Sequence, residues 1–120
     1  MQLRLLVIRT ASMPAVASFY ERLGLVLEYH SHDGSPMHYS GKAGETIIEI
    51  YPLAKGQEQP DKNMRIGFSL ADFDTVIENL KAAGVDFVSP PAQTPFGYCA
   101  IVHDPDGRKV ELYREESGFL

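Results

Sequence analysis

Two glutamates of this chain stand in near-identical settings. Glu111 sits in Val110-Glu111-Leu112-Tyr113 and Glu49 in Ile48-Glu49-Ile50-Tyr51, 62 positions apart. Successive side chains of an extended strand point to opposite faces. Val110 and Leu112 therefore share one face, and Lys109, Glu111 and Tyr113 the other. In the same way Ile48 and Ile50 oppose Ile47, Glu49 and Tyr51. A carboxylate fixed on a rigid strand can take a proton as a general base, bind a divalent cation, or pair with a guanidinium. It can also be a solvated strand residue. Arg65 supplies a guanidinium at the start of a third strand, in which Ile66, Phe68 and Leu70 form the apolar face. Its planar fork suits either a structural ion pair or an anionic ligand.

Four histidines are further candidates. His30 and His32 are two apart on one strand face, a spacing that can hold a metal, but they stand beside a turn and read as a solvated edge. His38 is predicted on a middle strand, where it either packs structurally or serves as a substitute ligand or proton carrier. His103 precedes the Asp104-Pro105-Asp106-Gly107 turn and is placed at a rim. Tyr51, Tyr98 and Tyr113 either contact a bound molecule or fill the space it would take. Cys99 has no activating base nearby in sequence and reads as a packing residue.

These side chains need elements to hold them. Leu3–Arg9 is a predicted strand, apolar on both faces beyond Arg4 and so expected to be covered on both sides. Ser12 is a predicted helix cap with Pro14 in the first turn; Val16, Tyr20 and Leu23 form the helical stripe, and Gly24 ends it. Strands follow at Val26–His32, up to the Asp33-Gly34 turn, at Pro36–Ser40 and at Thr46–Tyr51. Pro52–Asn63 has no periodicity. After it come a strand at Arg65–Leu70, a helix capped by Asp72 with Phe73, Val76, Ile77 and Leu80 as its stripe, and a stop at Gly84. Strands are then predicted at Val85–Val88 (closed by Ser89-Pro90-Pro91), at Phe96–Val102 and after Gly107.

Shifting the first half by 60 positions lays Leu6 on Ile66, Ile8 on Phe68, Ser12 on Asp72, Val16 on Val76, Tyr20 on Leu80 and Gly24 on Gly84. Caps, stripes and stops agree together. The predicted fold is α+β, with two tandem βαβββ modules whose curved mixed sheets enclose a cleft. The expected division is one domain, with module one over 1–52, a linker over 53–63 and module two over 64–120. One helix covers one face of each sheet, so the other faces are expected to line the cleft. The cleft set would be Leu5, Val7, Glu49, Tyr51, Arg65, Gly67, Ser69, Glu111 and Tyr113.

The totals bound the partners. The chain of 120 residues has a net charge of −5 and a pI near 5.3, with no basic stripe of the kind nucleic acid requires. No apolar run reaches the ~18–20 residues of a membrane span, and the apolar stretch Leu5–Ile8, with Arg4 and Arg9 beside it, is too short for a signal peptide. One cysteine allows no internal disulfide. The expectation is a cytoplasmic protein that binds neither nucleic acid nor membrane.

Ser18-Phe19-Tyr20-Glu21-Arg22-Leu23-Gly24-Leu25, Ile48-Glu49-Ile50, Leu80-Lys81-Ala82-Ala83-Gly84-Val85 and Asp104-Pro105-Asp106-Gly107 through Val110-Glu111-Leu112 together carry a resemblance. The chain resembles the vicinal oxygen chelate superfamily, also called the glyoxalase, bleomycin-resistance and extradiol-dioxygenase fold. In metal-using members, four inward positions bind one divalent ion, one on the first and one on the last strand of each module. The resemblance puts these at Leu5, Glu49, Arg65 and Glu111. Leucine has no donor atom, and arginine offers no lone pair. Two carboxylates in a dry cleft would repel, and the expectation is that Arg65 supplies the charge a metal would otherwise bring.

Two functions follow. In the first, resembling bleomycin-resistance-type members, the protein encloses a small anionic or polar organic molecule without a metal or other cofactor, using Arg65, Leu5, Tyr51, Tyr98, Tyr113 and His38. In the second, resembling glyoxalase-type lyases, isomerases or dioxygenases, zinc, nickel, iron or manganese is held by Glu49 and Glu111 with His38 as a possible replacement ligand, and the glutamates are catalytic. Between them lies a metal-free enzyme with one glutamate as base, poised by Arg65. The resemblance also implies a homodimer.

Overall fold

The computed structural model describes residues 1–116. They form two compact units, one over Met1–Asp61 and one from Lys62 onward. The first contains β1 (Leu5–Thr10), α1 (Met13–Arg22), β2 (Glu28–His30), β3 (His38–Ala43) and β4 (Thr46–Pro52). The second contains β5 (Ile66–Leu70), α2 (Phe73–Ala82), β6 (Phe87–Thr94), β7 (Gly97–His103) and β8 (Lys109–Arg114). Both are βαβββ, as the repeat predicts. The first sheet runs β1-β4-β3-β2 and the second β5-β8-β7-β6, each with one parallel pair, β1 with β4 and β5 with β8. No helix among the described residues is long and apolar enough to cross a membrane.

Each core lies between a helix and one sheet face. In the first unit Val16, Phe19 and Tyr20 of α1 are buried, as are Ile8, Ile48 and Ile50 on the sheet. In the second, Phe73, Val76, Ile77 and Leu80 are buried with Ile66, Val110 and Leu112. Both helices end as expected: Gly24 (φ 117°) and Gly84 (φ 75°) adopt the left-handed region that side chains resist. Neither expected N-cap side chain makes a capping hydrogen bond. Before α1, Thr10 Oγ1 accepts from the Ser12 N–H at 3.0 Å, which ties the chain entering the helix.

Four expectations about strands need correction. β1 starts at Leu5, whose side chain is 48% exposed, so the strand is not covered on both faces along its length. β2 keeps only Glu28–His30, because Val26 and Leu27 lie against the backbone of Gly41 instead of joining the ladder. A Cβ on Gly41 would come within 2.4 Å of the Val26 carbonyl oxygen. β3 runs from His38 to Ala43, later than the predicted Pro36–Ser40. β6 continues through Ser89-Pro90-Pro91 to Thr94, where closure was expected. It is an edge strand, and its register with β7 shifts twice, between Phe87 and Ser89 and between Ser89 and Ala92. A proline without an N–H is tolerated at an edge or a bulge.

Candidate functional site

The last strand of each unit presents its glutamate on the face away from the helix. In the second unit, Glu111 lies between Gly67 of β5 and Ile101 of β7. The turn before β8 fixes its position. Asp104 Oδ1 accepts from the N–H groups of Asp106 (2.9 Å) and Arg108 (3.0 Å). The Arg108 guanidinium is fully buried and donates to Asp104 Oδ2 (3.0 Å) and Asp106 Oδ2 (2.9 Å). Burial opposes that positive charge, but the two carboxylates outweigh it, and the Arg108 pKa is raised on balance. Turn chemistry alone does not single out Arg108; the signal for it is an arginine directly after Asp-x-Asp-Gly.

Glu111 has both oxygens engaged. The Tyr113 hydroxyl donates to Oε1 at 2.6 Å, and Arg65 Nη2 donates to Oε2. The hydroxyl bond, with the charge and hydrogen bond of Arg65, outweighs burial and holds the Glu111 carboxyl below the usual carboxylate range. The same bond, with desolvation and the carboxylate charge, pushes the Tyr113 hydroxyl up to about 12. Glu111 is thus an anion and Tyr113 a neutral donor near pH 7. Arg65 is half exposed, so part of its fork faces solvent. The expected Arg65–carboxylate pairing is present, and its partner is Glu111.

In the first unit, Glu49 lies between Val7 of β1 and Ser40 of β3. Leu5, Val7 and Tyr51 share its face by register. His38 is wholly buried and stacks on Tyr51 with ring centroids 4.1 Å apart. His38 Nε2 is 3.5 Å from Glu49 Oε2 but makes no hydrogen bond; the distance is at the limit and the geometry fails. His30 is paired directly across from His38 on β2. His32, in the turn, brings its ring to 5.1 Å from that of His38. One donor atom from each of His30, His32, His38 and Glu49 lies within 4.8 Å of the others. The predicted solvated edge for His30 and His32 understates this gathering.

Two candidates stand apart from both clusters. Tyr98 pairs with Gln93 and packs on the α2 side of its sheet, edge-on to Phe73 (5.7 Å) and beneath Arg114 (4.2 Å). His103 is engaged by Asp86 at 2.6 Å.

The four positions the resemblance assigns to a metal do not form a donor set. Leu5 and Arg65 contribute no lone pair, and the Arg65 guanidinium sits on the Glu111 carboxylate. The family itself is settled by a wider match. The model of the Glyoxalase/Bleomycin resistance protein/Dioxygenase superfamily fits residues 2–112. The chain belongs to that superfamily. Solved members and relatives share its fold. An antibiotic binding protein, TnmS3 from Streptomyces sp. CB03234, superposes with a TM-score of 0.77 at 21% identity, covering 97% of each chain. TioX from Micromonospora sp. ML1 gives 0.69 at 19% identity over 97% of this chain and 100% of its own. A glyoxalase/bleomycin resistance protein/dioxygenase family enzyme from Burkholderia phytofirmans PsJN gives 0.73 at 18% identity over 95% and 98%. No curated protein matches the chain. At these identities the superfamily likeness is one of fold, and it includes a binding protein and an enzyme.

Proposed function

We propose that this superfamily member is a small-molecule-binding protein. Its ligand is an organic molecule with an anionic or strongly hydrogen-bonding group, held at the Arg65–Glu111–Tyr113 cluster without a metal at Glu111. The observation that carries the reading is the state of Glu111. A general base near neutral pH needs a raised carboxyl pKa, and a metal ion at a carboxylate is repelled by a guanidinium already paired with it. Glu111 has a lowered pKa and is paired with Arg65 through one oxygen while Tyr113 donates to the other. Its pairing fixes Arg65, whose exposed side offers donors to a ligand anion. Gly67 opposite Glu111 carries no side chain, which leaves room for a flat group against the strand. The antibiotic-binding relative supports the same class of role.

The test is a thermal-shift screen of small aromatic carboxylates and phenolates, followed by calorimetry on the best hit. Arg65→Ala should weaken binding at least tenfold with the fold intact. A hit that binds Arg65→Ala as tightly as wild type would remove the basis of the proposal. The reading also includes a homodimer, supported by the resemblance alone. Light scattering should then report twice the chain mass of 13.3 kDa, and particles of the single mass at micromolar concentration would contradict it.

A further inference from the structure

We infer that the first unit holds a second, separate site: a zinc-class divalent cation bound by His30, His32, His38 and Glu49. It shares no residue with the Arg65–Glu111–Tyr113 cluster and uses strand positions other than the metal positions the resemblance implies, except Glu49. The two proposals therefore succeed or fail independently.

Three observations carry it. The first is the donor set, three imidazoles and a carboxylate, all with one donor atom within 4.8 Å of the others. Zinc takes such ligands in a tetrahedron whose donor atoms stand about 3.3 Å apart, given bonds of about 2.0–2.1 Å. The His38–Glu49 edge, at 3.5 Å, is already close to that length. The remaining donors, within 4.8 Å of one another, need to close by up to about 1.5 Å, within reach of side-chain rotation.

The second is the orientation of His38. Its Nδ1 lies 2.9 Å from the Pro36 carbonyl oxygen. A carbonyl only accepts, so Nδ1 carries the hydrogen and donates. In the neutral ring, Nε2 then carries the lone pair. That atom is buried, has no hydrogen-bond partner and faces the Glu49 carboxylate. Two acceptors turned toward each other in a buried place call for a donor or a cation between them, and a metal ion held also by His30 and His32 meets that need. Metal-bound histidines are oriented in this way, with the far nitrogen donating to a carbonyl or carboxylate. His30 repeats the pattern, its Nδ1 lying 3.3 Å from Glu28 Oε1. His32 Nδ1 lies 3.5 Å from Ser35 Oγ.

The third is accessibility combined with rigidity. His38 is buried and stacked on Tyr51, and Glu49 is mostly buried, so half the ligand set is pre-positioned. His32 is exposed, in a turn held by Ser35, whose N–H donates to the His32 carbonyl (2.9 Å) and whose Oγ accepts from the His32 N–H (3.0 Å). An ion can enter from the solvent side and be closed over by His30 and His32. Three imidazoles and one carboxylate suit zinc, nickel or copper(II) and disfavour magnesium or calcium.

The test uses full-length protein without a histidine tag, stripped with chelator, dialysed and titrated with zinc chloride by calorimetry. The expected result is saturable binding of one ion per chain. His32→Ala, which alters an exposed side chain and leaves the fold intact, should weaken it at least tenfold, and His30→Asn should do the same. His103→Ala, outside the cluster, should leave it unchanged. Cobalt(II) in place of zinc should give the intense visible absorption of a tetrahedral ion. Absence of saturable binding overturns the inference. Binding that survives His32→Ala but is lost in Glu111→Gln also overturns it.

Discussion

The Tyr113 hydroxyl donates to Glu111 Oε1 at 2.6 Å, while Arg65 holds the other oxygen of the same carboxylate. Removing the hydroxyl should show what it contributes. Tyr113→Phe is expected to raise the Glu111 pKa toward its ordinary value and to cost about 1 kcal/mol, the scale of a part-exposed bond to a charged group. Carbon-detected NMR titration of the glutamate carboxyls, with urea melts alongside, reads both. An unshifted Glu111 resonance would show that Arg65 alone sets its state.

The same pair fixes two pH limits. The folded Glu111 pKa lies below its ordinary value of 4.5, so its contribution is present above about 4.5 and is lost as pH falls through the lower folded value. Tyr113 moves the other way, from 10.0 up to about 12. Its contribution is full below pH 10 and is lost between about 10 and 12. The melting temperature of wild type should therefore fall more steeply than that of Tyr113→Phe across both windows.

Arg108 is the buried cation of the Asp104–Asp106 turn. Arg108→Met would take the guanidinium from the fully buried Asp104 carboxylate, and breaking one partner of such a pair costs about 3–5 kcal/mol. Chemical denaturation should show this loss. Because β8 begins one residue later, the variant should also loosen Glu111, visible as faster amide exchange along Lys109–Tyr113.

Two glycines on different sheets should differ sharply in what an added Cβ costs. At Gly41 a Cβ would strike the Val26 carbonyl at 2.4 Å, so Gly41→Ala should destabilise by about 1–3 kcal/mol. At Gly67 the nearest atoms would be 3.8 Å away, and Gly67→Ala should change stability by less than about 0.5 kcal/mol. It would still fill space opposite Glu111, and the calorimetric affinity for an aromatic carboxylate should drop.

Much of this architecture is legible in the sequence. The helices, Met13–Arg22 and Phe73–Ala82, differ by 60 positions at both ends, as the overlay of caps and stripes predicts. The alternation in Ile48-Glu49-Ile50 and Val110-Glu111-Leu112 correctly puts both glutamates on the face away from the helix. The histidine cluster is less legible, because spacing along the chain does not show which strands a hairpin brings together. His30 and His38 lie four positions either side of Gly34, so a hairpin closing there sets them opposite each other. Ser40 and Glu49 close in the same way about the Gly44 turn, which brings Tyr51 to His38. The shortened β2 had no local signal. It follows from the approach of Val26 to Gly41, a contact between distant backbone segments.

The two prolines of β6 protect the protein from itself. A sheet edge with a full row of N–H donors invites a passing strand to add to it, the first step toward ordered aggregates. Pro90 and Pro91 carry no N–H, so whichever of the two would face outward offers the open edge no donor, and the register shifts around them twist the strand out of a flat template. Replacing them by valines of good strand propensity would leave the fold's own ladder almost unchanged. The protein's tendency to form fibrils on prolonged incubation would then rise, with no loss of thermal stability to give warning.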